Sequence, residues 1–466
     1  MSQRPIPPIA ETHGPSNRAP MVRRGSEATR DGTGTAPTFQ LSGADKPPVA
    51  LARLLGAFIV VAVGRVNDFI PILSEIPLAK IVVILAVIAA VRLKETQSPI
   101  SWKVIPPAKL TFILMGIMSV SILFSVLRSA TFAIITRNVL AVVIILLLTI
   151  KATRGWAPVK TILKGAVLAS AVLVATVLSS KISDGFGARA GYSSSYDPND
   201  FAYVLIGFLP LVITFGILSK GAKRLLYFAT ACAMTVAILL TQSRGGFLGL
   251  LFEIIAMTFA LPFAWRGKLQ FQTSRSRIFA RVALLTVVAV AGWHSLPENT
   301  RARLDSITQL DSDYNANASD SSPFAGRLAI WARNLPLVAS RPWGYGAGAF
   351  ETVDGRFAGG RYRAPHNTFL QALIELGIPG FALFMAVIFS SLRWLKPAPT
   401  RMQSPSMEPD EPRAFSRALA IGLLGLCITG FFLSQLYANV FWALVTLSCA
   451  VGIVRRAAPS ATGNRS

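Results

Sequence analysis

The chain has 466 residues, 52% of them hydrophobic and 15% charged, with a mean hydropathy of +0.53, a composition with long apolar runs that excludes a soluble globular assembly. Lys and Arg number 46 against 22 Asp and Glu, a net charge of +24 that in a soluble protein points to nucleic acid. Most of these cations lie in short stretches between apolar runs, where the positive-inside rule accounts for them without a nucleic-acid partner.

Residues 1–48 are rich in Pro, Gly, Ser, Thr and Arg and nearly free of large apolar side chains, so they predict a disordered basic tail on the cytoplasmic side. No basic-then-apolar leader with a small-residue cleavage site opens the sequence, so the first apolar run is expected to serve as the membrane signal. A helix needs about 20 apolar residues to cross the hydrocarbon layer. Twelve runs qualify: 49–64, 77–93, 108–127, 132–150, 159–178, 200–218, 224–241, 244–263, 278–296, 367–390, 416–434 and 437–454. The first two are short and carry Arg53 and Lys80 near their ends, which leaves open a hairpin that only dips into the membrane.

With the tail inside, alternate connections hold the basic excess, so both termini are placed in the cytoplasm and 456–466 forms a second short tail. The fold class read from this pattern is an all-α integral membrane protein of about 12 transmembrane helices. Its polytopic domain runs over 49–455, with a large extracytoplasmic loop, 297–365, between helices 9 and 10. That loop exceeds ordinary connections and contains Trp331, Trp343 and several Arg residues, so it is expected to fold over the membrane. Cys232, Cys427 and Cys449 all lie inside apolar runs, so neither a disulfide framework nor a thiolate metal cluster is expected.

In this topology the even-numbered helices start at the external surface, and their unpaired N–H groups and positive dipole ends suit anions. Three polar motifs fall at such starts. Thr241-Gln242-Ser243-Arg244-Gly245-Gly246 offers Ser243 as an N-cap, two glycines for close backbone approach, and the forked Arg244 for phosphate oxygens. An interfacial arginine after a tight hairpin is an equal reading of the same residues. Asp197-Pro198-Asn199-Asp200 reads first as a capping turn. Pro365-His366-Asn367-Thr368 opens the tenth span, and His366 is the one histidine of three with a chemical setting, since His13 lies in the tail and His294 lacks polar company. A neutral imidazole can take a proton from an attacking hydroxyl, although a plain surface histidine is the simpler reading.

Glu375 falls about 2.5 turns below His366, where a carboxylate needs a partner in the bundle, and Gly377-Ile378-Pro379-Gly380 follows it. In the large loop, Gly326-Arg327 and Trp331 lie on a predicted helix ahead of Pro342-Trp343-Gly344-Tyr345-Gly346-Ala347-Gly348. Arg327 is a second candidate phosphate donor, Trp331 is expected to pack the loop on the membrane, and Arg137 near the outer end of helix 4 is a further cation of the same kind. No P-loop, zinc-protease helix motif, nucleophile elbow or Cys/His metal spacing occurs.

In their order these pieces resemble the O-antigen ligase and Wzy-type polymerase superfamily of bacterial envelope polysaccharide synthesis, over roughly 50–455. The matching residues are Asp197-Pro198-Asn199, Ser243-Arg244-Gly245-Gly246, Gly326-Arg327 with Trp331, Gly344-Tyr345-Gly346, and His366-Asn367 followed by Glu375 and Gly377. The resemblance implies a GT-C-type glycosyltransferase in the bacterial inner membrane, its active site facing the periplasm. It would use a glycan carried on undecaprenyl diphosphate and need no metal or other cofactor. Arg244 and Arg327 would hold the diphosphate and His366 would activate the acceptor hydroxyl, with Asp197, Asn199, Glu375 and Arg137 in support. Membrane lipids, a polysaccharide flippase and a chain-length regulator are the implied partners. The basic tail and the lack of a core-oligosaccharide signal favour a polymerase narrowly over a ligase. A transporter of the lipid-linked glycan is a third reading; its major-facilitator form would place a long connection between helices 6 and 7, where 219–224 is short.

Overall fold

The computed structural model describes residues 39–40, 48–66, 75–93, 100–184, 196–261, 263–265, 268–270, 326–396 and 410–458. Nearly all of the expected N-terminal tail, the ninth span at 278–296, the first part of the long loop and the last residues of the chain lie outside them. The described chain is helical apart from two minimal ladders, Phe39–Gln40 beside Ala457–Ala458 and Phe263–Trp265 beside Lys268–Gln270.

The helices are α1 Val49–Ala62, α2 Leu78–Arg92, α3 Pro106–Val120, α4 Arg128–Ala152, α5 Trp156–Asp184, α6 Pro198–Leu218, α7 Gly221–Leu240 and α8 Arg244–Ala260. After the long loop come α9 Arg327–Asn334, α10 Leu337–Ser340, α11 Phe350–Arg356, α12 Thr368–Trp394, α13 Asp410–Gly430 and α14 Asn439–Arg456. Their starts follow local rules. Pro106 and Pro107 open α3 where their missing N–H groups cost nothing, and Asp197, Ser243 and Asn367 cap α6, α8 and α12.

Twelve full spans were expected, and the described residues hold eight helices long and apolar enough to cross a membrane: α3 with its 3-10 extension, α4, α5, α6, α7, α12, α13 and α14. Three of the other expected spans form shorter helices. α1 has 14 residues and α2 has 15, about 21 and 23 Å of helix, short of a hydrocarbon layer of about 30 Å. α8 stops at 17 residues because Leu261 turns extended.

A second correction concerns the last two spans, expected at 416–434 and 437–454. The helices end at Gly430 and restart at Asn439, so 431–438 forms a turn that apolar composition had hidden within the spans. Helix 4 also differs from a plain span: its ladder widens to a π turn at Ile135–Val139, which carries Arg137.

α6 is the axis of the bundle, buried over most of its length and packed against α5, α7, α8 and α13. Glycine contacts allow these close approaches: a Cβ on Gly422 of α13 would come within 2.5 Å of the Gly207 carbonyl of α6, and one on Gly165 of α5 within 2.5 Å of the Gly56 carbonyl of α1. One end of the bundle gathers cations with their partners, including Lys160 paired with Glu411 at 2.8 Å and Arg456 stacked 3.8 Å over Trp394. At the other end lie the N-termini of α6, α8, α12 and α14.

The described part of the long loop covers this second end. Ile330, Tyr345, Phe350 and Val353 pack onto Leu370 and Ile374 of α12. A buried knot ties α9 to α11: Arg333 Nε donates to Asp354 at 2.6 Å, Asn334 Nδ2 at 2.7 Å and the Arg363 N–H at 3.1 Å. Burial raises the Asp354 carboxyl, but these donors, Arg333 foremost, outweigh it and hold the carboxyl below its ordinary range.

Candidate functional site

The site forms where four helix starts meet around the 431–438 turn. His366 lies immediately before the α12 cap, in left-handed backbone at φ 45°, and its N–H donates to Ser434 Oγ at 3.0 Å. Asn367 Oδ1 receives the Phe369 and Leu370 N–H groups, so the helix start is capped and His366 is set just outside it. Thr368 Oγ1 donates to the Leu433 carbonyl at 2.7 Å and accepts the Gln435 N–H at 3.0 Å, which clamps the turn onto α12.

α8 repeats the pattern. Gln242 sits in left-handed backbone at φ 53°, Ser243 caps by accepting the Gly246 N–H at 3.2 Å, and Arg244 is the first helical residue. Arg244 is only 8% exposed, which rules out the interfacial reading of an arginine reaching for solvent. The two glycines do what their positions suggested. A Cβ on Gly245 would meet Phe432 at 3.2 Å, and one on Gly246 would strike Ala202 of α6 at 2.7 Å. The α8 start is thereby packed against both the turn and the α6 start.

On α6, Asp197 is the cap, accepting the Asn199 and Asp200 N–H groups at 2.6 and 2.9 Å, so the capping reading is the one realised. Asn199 stands in the first turn beside Asp200, whose carboxylate receives Gln435 Nε2 from the turn. Consecutive residues Ser434 and Gln435 therefore hold His366 and Asp200.

Glu375 lies 1% exposed inside the bundle and is fully paired. Its oxygens accept the Gly348 N–H at 2.7 Å, Gln371 Nε2 at 3.3 Å, the Phe350 N–H at 3.4 Å and the Tyr437 hydroxyl. Burial, and then the neighbouring carboxylate, push the Tyr437 phenol well above its ordinary value, so it is a donor at neutral pH. Its oxygen also receives the Gly348 N–H at 3.0 Å.

The glycine-rich segment and the Gly377–Gly380 motif explain each other. Pro379 has no N–H to give the Glu375 carbonyl, and Gly377 breaks α12 at φ 69°, so carbonyls inside a buried helix lose their usual donors. The loop supplies them: Gly346 N–H donates to the Glu375 carbonyl at 2.9 Å and Tyr345 N–H to Ile374 at 3.0 Å, while Ile378 N–H donates to Pro342 at 2.7 Å. A Cβ on Gly344, whose φ is 91°, would come within 2.5 Å of the Glu375 carbonyl, so only glycine fits.

Trp331 was expected on the membrane. Instead its indole donates to the Pro365 carbonyl at 2.8 Å and meets the Phe431 ring edge-on at 5.4 Å, because the indole N–H finds a carbonyl next to His366. Arg327 stands one turn earlier on α9 and is carried to the same region, while Arg137 is exposed on its π turn beside Asn138, which donates to the Tyr437 carbonyl at 3.0 Å.

Sequence reasoning missed Ser434, Gln435 and Tyr437. Three polar side chains within eight residues between two apolar runs were the available signal. As a whole, the arrangement offers arginines and helix N-termini that stabilise anionic oxygens, with an imidazole at the same mouth. Among the described residues, no three His, Cys, Asp or Glu side chains gather as a metal-binding group.

No curated protein matches the chain. Residues 228–385 match the family model described as O-antigen ligase, a stretch that runs from α7 through Arg244, Arg327, His366 and Glu375 into α12. The segment that builds most of this site is thus the one in which the chain is similar to the O-antigen ligase family.

Proposed function

We propose that the protein is a polysaccharide polymerase that transfers an undecaprenyl-diphosphate-linked glycan to a growing chain at the outer face of the bacterial inner membrane. The observation that carries this reading is the 431–438 turn, which holds the His366-bearing start of α12 and the Arg244-bearing start of α8 at one end of the bundle. In the reaction, the acceptor hydroxyl oxygen forms a bond to the anomeric carbon of the donor while the bond from that carbon to the diphosphate oxygen breaks. The diphosphate leaves with the electron pair, and the hydroxyl proton passes to His366. Arg244, Arg327 and the helix N-termini offset the charge that grows on the leaving oxygens, which requires no metal. Direct attack inverts the anomeric centre. Asp197 and Asn199 shape the α6 start, Glu375 holds the glycine-rich segment, and Arg137 adds positive charge at the mouth.

The outward orientation is supported by the cations at the opposite end of the bundle. Single cysteines at Gly359 and Lys396 test it: an impermeant thiol reagent should label the first and spare the second in intact spheroplasts, and the reverse pattern would refute it.

A ligase that moves the glycan to lipid A-core is the second reading, favoured by the description of the matched family model. Purified protein supplied with a defined undecaprenyl-diphosphate oligosaccharide distinguishes them. A ladder of longer lipid-linked glycans is expected; product formed only when lipid A-core is added would select the ligase, and no transfer to either would sink both. Within that assay, Arg244→Ala should lower the rate about 100- to 1000-fold.

A further inference from the structure

Two neighbouring helices carry buried polar side chains with nothing to bond. Glu253 lies on α8, 0% exposed, and neither of its carboxyl oxygens has a hydrogen-bond or ion-pair partner among the described residues. Thr429, on α13 and also 0% exposed, leaves its hydroxyl oxygen equally unbonded. The two helices pack directly on each other and run antiparallel, α8 leaving the end that carries the site and α13 returning to it. On α8, Gly245, Gly249 and Glu253 step by four along one face, and on α13 Gly425 and Thr429 do the same. These faces meet. A Cβ on Gly249 would overlap Thr429 Oγ1 and stand 3.5 Å from the Gly425 carbonyl oxygen, while one on Gly425 would come within 2.6 Å of Glu253 Oε1. Ile206 of α6 closes the third side, 3.5 Å from the first position and 2.9 Å from the second. A carboxyl, a hydroxyl and a carbonyl therefore share one glycine-lined seam.

A threonine inside a helix ordinarily satisfies its hydroxyl on the carbonyl four residues back, as Thr111, Thr214, Thr235 and Thr258 do at 2.8, 2.7, 3.0 and 2.7 Å. Thr429 makes no such bond to Gly425, and its hydroxyl lies against Gly249 across the seam. It does not bond Glu253 either, so the two side chains leave each other unsatisfied. A carboxylate in a low-dielectric interior is costly unless a charge compensates it, and no described Lys, Arg or His pairs with this one. A proton on Glu253 would remove the charge but give Thr429 no reason to forgo its carbonyl. A cation uses both. Every donor here is an oxygen, which suits a hard ion, and one carboxylate balances one positive charge. Helices this close admit only a small ion.

We propose that Glu253, Thr429 and the Gly425 carbonyl bind a sodium ion between α8 and α13. Glu253 is nine residues beyond Arg244, about 13 Å along the helix, so the ion stays clear of the mouth where Arg244 and His366 gather. Its role is structural: it ties α8, which opens with Arg244, to α13, which ends at Gly430 where the turn that holds His366 begins. The site stands whether the protein is a polymerase or a ligase.

The test is binding of radioactive sodium by the purified full chain in nanodiscs, with choline chloride holding the ionic strength constant. Saturable binding of one ion per chain is expected, together with an unfolding midpoint that rises with sodium and not with choline. Glu253→Gln keeps the shape of the side chain and removes its charge, so it should abolish both responses. Thr429→Val exchanges the hydroxyl for a methyl group and should weaken sodium binding at least about tenfold. In choline its midpoint should equal or exceed that of the parent, because an unbonded buried hydroxyl is gone, which separates loss of the ion from misfolding. No saturable sodium binding by the parent chain would overturn the proposal, as would parental binding in either variant. A parent whose midpoint ignores sodium and matches that of Glu253→Gln in both salts would identify Glu253 as a protonated acid, and the ion would be withdrawn.

Discussion

Glu375 joins two segments that are remote in sequence, the glycine-rich loop through Gly348 and the 431–438 turn through Tyr437, so the two contacts should be energetically coupled. Tyr437→Phe removes the phenolic donor and keeps the ring. A hydrogen bond to a charged group contributes about 1.5–3 kcal/mol, and Gly348 N–H retains its bond to Glu375, so the loss should fall in that range. Glu375→Gln keeps one acceptor oxygen for Gly348 and Tyr437 but turns an amide NH2 toward the Phe350 N–H and Gln371 Nε2. Those two bonds are long, at 3.4 and 3.3 Å, so donor facing donor should cost about 1–3 kcal/mol in all. In the Gln variant the Tyr437 hydroxyl still donates, but to a neutral amide oxygen, a bond worth about 0.5–1.5 kcal/mol, so Tyr437→Phe costs about 1–2 kcal/mol less there. The combined loss should therefore fall short of the sum by about 1–2 kcal/mol, within the range found for residues in contact. Unfolding by rising SDS mole fraction in mixed micelles, followed by tryptophan fluorescence, measures each corner of the cycle, with Trp331 and Trp343 close to the segments concerned. Additive losses, with coupling below about 0.5 kcal/mol, would refute the claim that Glu375 links loop and turn.

His366 occupies left-handed backbone, which costs a residue with a Cβ about 1–2 kcal/mol, so His366→Gly should unfold later than His366→Ala by about 1 kcal/mol while both lose glycan transfer; an Ala variant as stable as the Gly variant would discount the strain. Asp354 is held below its ordinary range, so its stabilising contribution is fully present above the unfolded carboxylate value of about 4 and is lost as pH falls through the lower folded value. Asp354→Asn should therefore flatten the acid side of the stability profile below about pH 4, and an unchanged acid slope would count against the Arg333–Asp354 knot.

Much of the architecture was legible in one dimension because the membrane imposes its own rule: backbone polar groups in hydrocarbon must pair within the segment, so long apolar runs become helices. Every expected span within the described residues forms a helix over most of its length, and the caps at Asp197, Ser243 and Asn367 follow from side chains that bond the next turn's N–H groups. The order of motifs sufficed for the family. Hydropathy could not, however, distinguish a buried turn from a helix. Leu433 and Leu436 of this turn are buried in the bundle, and only the packing shows that Ser434, Gln435 and Tyr437 turn inward. The role of Trp331 was equally invisible, since whether an indole meets lipid or the Pro365 carbonyl depends on where α9 lies against α12. Composition determined which segments are helices and which residues carry charge. Tertiary structure decided which helix starts share a mouth, because contacts between residues hundreds of positions apart depend on how glycine-lined helices approach one another, and no local pattern encodes that distance.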